Sequence, residues 1–195
     1  SPNNGDGNID GSPDSLQNYA VSFPAANGIY TTLVTDKDMA FTNVKAVQLS
    51  SIEALPENIS MDNEAFSFEL SGFPAGSIAE FGLILPEGNT PTNIYSYGPT
   101  PGNNVPHWYA LDKNTTPGVF IFGNATLIGT VDNSITRNIT KVRIFDGGAG
   151  DSDLAADGKI LFVGGPEINN QSSSSSGAIL WVLILIPVTI LLYRR

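Results

Sequence analysis

The chain has 195 residues, a net charge of −10 and only 14% charged side chains, against roughly 25% in average soluble chains. That acidity argues against a nucleic-acid partner, which would need Lys and Arg to neutralise phosphates. No cysteine is present, which excludes a disulfide framework, thiol catalysis and Cys-ligated zinc, iron–sulfur or haem sites. A single histidine leaves little material for a multi-His metal site or a Ser-His-Asp triad.

The chain begins at Ser1 rather than Met, which points to a mature end left by signal-peptide removal. Residues 1–18 read as an acidic calcium-loop-like segment. Asn4-Gly5-Asp6-Gly7-Asn8-Ile9-Asp10 places Asx side chains at alternate positions with Gly for a tight turn. Hard cations such as Ca²⁺ take six to eight oxygens at ~2.3–2.6 Å, and such a loop turns several inward. The expected ligands are Asn4, Asp6, Asn8 through its carbonyl, Asp10 and Asp14. The pattern resembles the NxDGxxD half of a thrombospondin type 3 or EF-hand-like loop. Pro2 stands where that pattern has an Asp, and Asp14 takes the place of a closing acid.

Residues 19–168 carry no helical period. Short apolar-alternating runs recur between Gly, Pro, Asn and Asp, which predicts strands. In chain order these are Tyr19–Phe23, Ile29–Val34, Phe41–Leu49, Phe66–Leu70, Phe81–Leu85, His107–Leu111, Val119–Phe122, Ala125–Val131, Thr140–Ile144 and Lys159–Val163. Breakers fall at Phe73–Gly76, Pro86–Asn89 and Tyr97–Gly102. Thr140, Val142 and Ile144 share one face of their strand. Many short strands at this spacing predict an all-β protein, an antiparallel β-sandwich, with a closed barrel as the competing arrangement. Phe66, Phe68, Phe81, Trp108, Tyr109, Phe120, Phe122 and Phe145 are the expected core aromatics; Trp108 and Tyr109 are also candidates for stacking on carbohydrate.

A second acidic loop reads Asp146-Gly147-Gly148-Ala149-Gly150-Asp151-Ser152-Asp153, followed by Asp157-Gly158. Its aspartates repel one another unless they are solvated or share a cation. Asp146, Asp151, Asp153 and Asp157 are therefore a second candidate Ca²⁺ set, in a loop that Asp and Gly also favour simply as a turn. His107 sits between Pro106 and Trp108, where a structural role is expected. No GxSxG, HExxH or P-loop pattern occurs, and the acids lie in Gly-rich loops with no apolar pocket to raise a pKa, so no enzyme is expected. Asn-X-Ser/Thr triplets occur at Asn58, Asn114, Asn124, Asn138 and Asn170; they matter only in a host that glycosylates them.

Residues 169–176, which end in five serines, read as a tether without an apolar face. Gly177–Tyr193 is an uncharged apolar run closed by Arg194-Arg195. As a helix it reaches about 25 Å, at the short end of what spans a bilayer. Residues 177–195 are thus expected to be a transmembrane helix with a basic cytoplasmic end, which puts the body outside the cytoplasm. Without its two terminal arginines the chain holds seven basic residues against 19 acidic ones, a net of −12 on the outer part.

Taken in order, these pieces resemble the bacterial choice-of-anchor U domain. The resemblance runs through Asn4–Asp10, Asp14-Ser15-Leu16-Gln17 and Ile29-Tyr30-Thr31-Thr32-Leu33, then Phe66-Ser67-Phe68 and Leu85-Pro86. It continues in Tyr95-Ser96-Tyr97-Gly98-Pro99-Thr100-Pro101 and His107-Trp108-Tyr109, and closes with Asp146–Asp153 and Gly164-Gly165-Pro166. Val163 departs from the Asp-Pro usual before Gly-Gly-Pro, and Asn114–Arg137 is longer than usual. The resemblance implies export and anchoring in a bacterial cell envelope, by a tail similar to a glycine-glycine sorting signal cut by a rhomboid-like protease. Ser176-Gly177 stands where that dipeptide would be. The expected function is a non-enzymatic, calcium-stabilised structural or interaction module of the periplasm or cell surface, with the lipid bilayer as partner. Two alternatives are an accessory subunit docked on other membrane subunits, and a surface adhesin or carbohydrate-binding module.

Overall fold

The computed structural model describes residues 2–25, 28–61, 65–86, 89, 91–111, 119–121, 125–126, 136–137 and 139–168. The expected tether and membrane span lie outside the described residues, as do Phe122 and the triplets at Asn114, Asn124, Asn138 and Asn170. Among the described residues no helix is long and apolar enough to cross a membrane.

The strands are β1 (Ala20–Pro24), β2 (Tyr30–Thr35), β3 (Ala40–Val47), β4 (Ala65–Ser71), β5 (Ile78–Ile84) and β6 (Pro91–Thr100). They continue as β7 (Asn103–Ala110), β8 (Val119–Ile121), β9 (Ala125–Thr126), β10 (Thr136–Arg137), β11 (Ile139–Phe145) and β12 (Lys159–Ile168). One sheet runs β1-β2-β5-β11-β8 and the other β3-β4-β12-β6-β7, with β9 and β10 paired separately. The pairs are antiparallel throughout. The two large sheets face each other as an all-β, sandwich-like fold.

Period-two alternation places the core. Phe66, Phe68 and Leu70 of β4 point inward with Phe162 and Ile160 of β12, against Leu33, Phe81, Leu83, Val142 and Ile144 of the opposite sheet. The Phe68 ring meets Phe81 edge-on at 4.9 Å and lies 5.2 Å from Phe162. Thr140, Val142 and Ile144 are all buried, as their shared face requires. Phe145, the next residue, falls on the opposite face. It pairs with Ile78 across β5 and β11, and both remain exposed, so its expected core place is corrected by the same alternation.

One strand stands where none was expected, and another runs beyond its expected bounds. β6 was hidden because Tyr97–Gly102 reads as a breaker, yet the strand continues to Thr100. Pro99 is accommodated at an irregularity between Gly98 and Thr100 in the β6–β7 ladder, and β12 pairs β6 only as far as Ser96. β12 likewise continues through Gly164-Gly165-Pro166. Its pairing with β4 stops at Gly164, so Pro166, opposite Ile94 of β6, has an unpaired side on which its missing N–H costs nothing.

Both outward faces carry a segment of the chain's own. Over the second sheet, Leu49, Ile52, Leu55 and Met61 from the β3–β4 connection pack on Val47, Ala65, Tyr95, Tyr97 and Trp108. Over the first, Ile9 and Tyr19 pack on Ala20, Val34, Ile84 and Ile139. The N-terminal acidic loop is therefore bound to the sandwich rather than strung ahead of it.

Candidate cation-binding loops

The N-terminal loop is a closed network of Asx hydrogen bonds. Asp6 Oδ1 accepts the Asp10 amide at 3.1 Å and Oδ2 the Gly11 amide at 2.9 Å. Asp14 accepts the Gly7 amide at 3.1 and 3.2 Å. Asp10 accepts the Ser12 amide at 2.9 Å, both oxygens take the Gln17 Nε2 at 2.7 and 2.8 Å, and Tyr19 Oη donates at 3.0 Å. Gln17 Oε1 accepts Asn8 Nδ2 at 3.1 Å. Asn8, Asp10 and Asp14 are buried. Asn4 is exposed and takes no part in these bonds.

The loop lies flat on the first sheet because Gly7 has no side chain. A Cβ there would stand 2.0 Å from Ser22 Oγ and 2.4 Å from Thr32 Oγ1. Ile9 adopts φ 57°, a costly conformation for a β-branched residue, and its side chain, partly buried, packs against β1, β2, β5 and β11. Burial raises the Asp10 carboxyl, but the bonds from Gln17, Ser12, Tyr19 and Asn8 together outweigh it and hold the pKa below the usual range. At Asp14 burial wins, helped by the negative charge of Asp6, and the pKa is raised. A carboxylate offers about four lone-pair sites, so these hydrogen bonds fix the oxygens and leave them further capacity.

The second loop joins β11 to β12 and divides its four acids in two. Asp146 and Asp151 have no exposed surface. Asp146 Oδ2 accepts the Gly76 amide at 2.7 Å and the Gly158 amide at 2.8 Å. Asp151 Oδ1 accepts the Leu161 amide at 3.0 Å and Oδ2 the Gly147 amide at 2.9 Å. Asp153 and Asp157 stay exposed and cap their own turns, through the Ala155 and Lys159 amides. The four-carboxylate cluster suggested by the spacing is thus a buried pair and two surface turns. Burial, with the negative charges of Asp153 and Asp146, pushes Asp151 up to about 6 against the pull of its backbone donors. The expectation that no acid here has its pKa raised is corrected: the turn folds back on the end of the sandwich and supplies the dry surroundings itself.

Among the described residues no three His, Asp or Glu side chains stand together as a ready metal site. Trp108 is buried; its Nε1 donates to the Glu53 carbonyl at 2.7 Å, and its ring lies 5.2 Å from Tyr97. Its face is not open to a sugar, which corrects the stacking expectation for Trp108. Tyr109 is half-buried, and its Oη accepts the Gly150 amide at 2.8 Å, tying β7 to the second acidic loop. His107 Nδ1 lies 2.8 Å from the Val105 carbonyl, a partner it can meet only as a donor.

Several residues that organise these loops carry no mark in the sequence pattern. Gln17 joins Asn8 to Asp10, and Tyr19 ties Asp10 to the first sheet. Gly76, 70 residues from Asp146 in sequence, and Leu161 of β12 supply main-chain donors. A backbone amide has no residue type to read, and Gln is common in turns. Only the place of Gln17 inside Asp14-Ser15-Leu16-Gln17 singled it out. Comparison of the chain with protein-family models, curated proteins and solved structures finds no match.

Proposed function

We propose that this chain is a non-enzymatic, calcium-stabilised structural or interaction module, held outside the cytoplasm of a bacterial cell envelope by one C-terminal transmembrane helix. The observation that carries the reading is the order of the chain after β12: a Ser-rich spacer, an uncharged and largely apolar run of seventeen residues from Gly177 to Tyr193, and two arginines. An apolar run of that length without charge matches the bilayer core, and the arginines hold its end in the cytoplasm.

The strand that leads into this tail suits an anchored domain. β12 lies inside its sheet, paired to β4 along its first half and to β6 along its second. Near its end, Thr92 Oγ1 donates to Glu167 at 2.9 Å, and Asn93 Nδ2 donates to the same carboxylate. Force applied through the tail therefore falls on a strand hydrogen-bonded to two neighbours rather than on a free edge. The resemblance to the choice-of-anchor U domain supports the same reading.

Membrane fractionation tests it. The full chain stays with membranes through carbonate extraction, and external protease digests residues 1–168 while sparing the tail. A chain ending at Ile168 is released as a soluble domain. A full chain that leaves the membrane in carbonate, or whose body is shielded from external protease, refutes the anchor.

A further inference from the structure

We propose that Asp146 and Asp151 form the acidic half of a buried Ca²⁺ site, completed by backbone carbonyl oxygens of the β11–β12 turn. This deepens the calcium part of the function proposed above and is independent of the anchor. The observation behind it is the Oδ1 atom of Asp146, which is buried and has no hydrogen-bond partner. Every other oxygen of the pair accepts a backbone amide: Oδ2 of Asp146 from Gly76 and Gly158, and the two of Asp151 from Leu161 and Gly147. The donors hold the carboxylates in fixed positions and leave one oxygen bare.

The two acids are close neighbours. Asp151 Oδ2 bonds the amide of Gly147, the peptide unit that directly follows Asp146. Neither is ion-paired with a basic side chain among the described residues; Lys141 and Arg143 meet Glu80, and Lys159 meets Glu69. Two buried carboxylates without a counter-charge are costly. A neutral donor would satisfy the bare oxygen and leave both charges in place. A divalent cation answers both demands.

The chemistry of the surroundings selects the cation. The side chains of the pair offer only carboxylate oxygens, which suits hard ions. Mg²⁺ keeps several of its waters and demands octahedral geometry, whereas Ca²⁺ accepts irregular sets of carboxylate and carbonyl oxygens. A site whose two acids have no exposed surface favours the ion that sheds its water more readily. Glycine at 147, 148 and 150 suits such a turn. Gly147 and Gly150 adopt φ 86° and 98°, and a Cβ on Gly148 would stand 2.9 Å from the Phe145 carbonyl.

The test uses the full chain in detergent, with calcium binding read by equilibrium dialysis and melting read with calcium or with EDTA. Asp146→Asn keeps an acceptor for Gly76 and Gly158 and puts an N–H where the bare oxygen stands. The expected result is tenfold or greater loss of calcium affinity at one site and loss of the associated rise in Tm. In EDTA the variant melts at or above the wild type, since it has lost a buried charge. Asp6→Asn, in the other loop, leaves that site's binding intact. Two results overturn the proposal: a wild type that binds no calcium, as when a proton or a water meets the bare oxygen, and an Asp146→Asn that keeps the full calcium response.

A second readout does not depend on the folding of that variant. Tyr109 touches Gly150 in this loop, and Tyr19 touches Asp10 in the other. Terbium luminescence excited through tyrosine and displaced by calcium should fall severalfold in Tyr109→Phe. A signal that is absent, or insensitive to Tyr109→Phe, overturns the site.

Discussion

Replacing Gln17 by Ala should undock the N-terminal loop. Its Nε2 lies 2.7 and 2.8 Å from the two oxygens of Asp10, and its Oε1 accepts Asn8 Nδ2 at 3.1 Å. The bond to an ionised carboxylate is worth about 1.5–3 kcal/mol, and stranding a buried amide donor costs about 1–3 kcal/mol more. Asp10 keeps the Ser12 amide and the Tyr19 hydroxyl, which limits its loss. The loop also has an escape, because it can lift away and re-solvate both groups. That forfeits the packing of the partly buried Ile9 on the first sheet, up to about 1.5–3 kcal/mol, the value for full burial of such a side chain. The smaller of the two costs is the one observed, so the expected loss is about 1.5–3 kcal/mol. For a domain of this size that is roughly a 3–12 °C fall in Tm. Melting should be measured in EDTA, with hydrogen exchange at the Gly7, Asp10 and Gly11 amides. These amides should lose protection well before the core strands. Gln17→Glu sharpens the test, since it sets a second carboxylate against Asp10. Repulsion raises the native pKa of the pair above the unfolded values, so this variant should be weakest at neutral pH and recover as pH falls below about 5. A Gln17→Ala protein that melts within 2 °C of the wild type, with unchanged exchange in the loop, would refute the reasoning.

Other predictions concern the sandwich itself. Glu80, opposite Arg143 across β5 and β11, is raised by burial but lowered further by Lys141 at 2.8 Å and Arg143 at 2.6 Å. Its folded pKa therefore lies below the usual 4.5, so its contribution is full above that value and lost as pH falls through the depressed one. Glu80→Gln should cost about 1 kcal/mol at neutral pH, after discount for solvent screening, and flatten the acid limb of a stability-versus-pH curve. Gly164→Ala would put a Cβ 2.1 Å from the Tyr95 carbonyl and 2.7 Å from Phe162; denaturant unfolding should report a loss of about 3 kcal/mol, the upper end for overpacking. Trp108→Phe removes the indole donor to Glu53 and should cost about 1–2 kcal/mol. Proteolysis should then cut faster within 48–61, with the core strands unchanged.

The period-two runs of β4 and β11, and the turn residues between strands, carried the sandwich-like class and the inward faces of Phe66, Phe68, Val142 and Ile144 in the sequence alone. Those features are local, because alternation and turn chemistry act between neighbours in the chain. Where pairing partners decide the outcome, reading the chain by itself was misleading. Pro99 and Pro166 look like strand breakers until the ladder shows each at a place where one side is irregular or unpaired. The acidic loops divide the same way. Their Asx and Gly content marked them as candidate cation loops, yet which acids are buried depends on amides brought from elsewhere. Gly76 and Leu161 reach Asp146 and Asp151 only because β5, β11 and β12 converge at one end of the sandwich. The sequence by itself determined which residues alternate, turn and carry charge. The tertiary structure alone decided which carboxylates lose their water, because burial and hydrogen-bond supply belong to the packed sheets and not to any one segment.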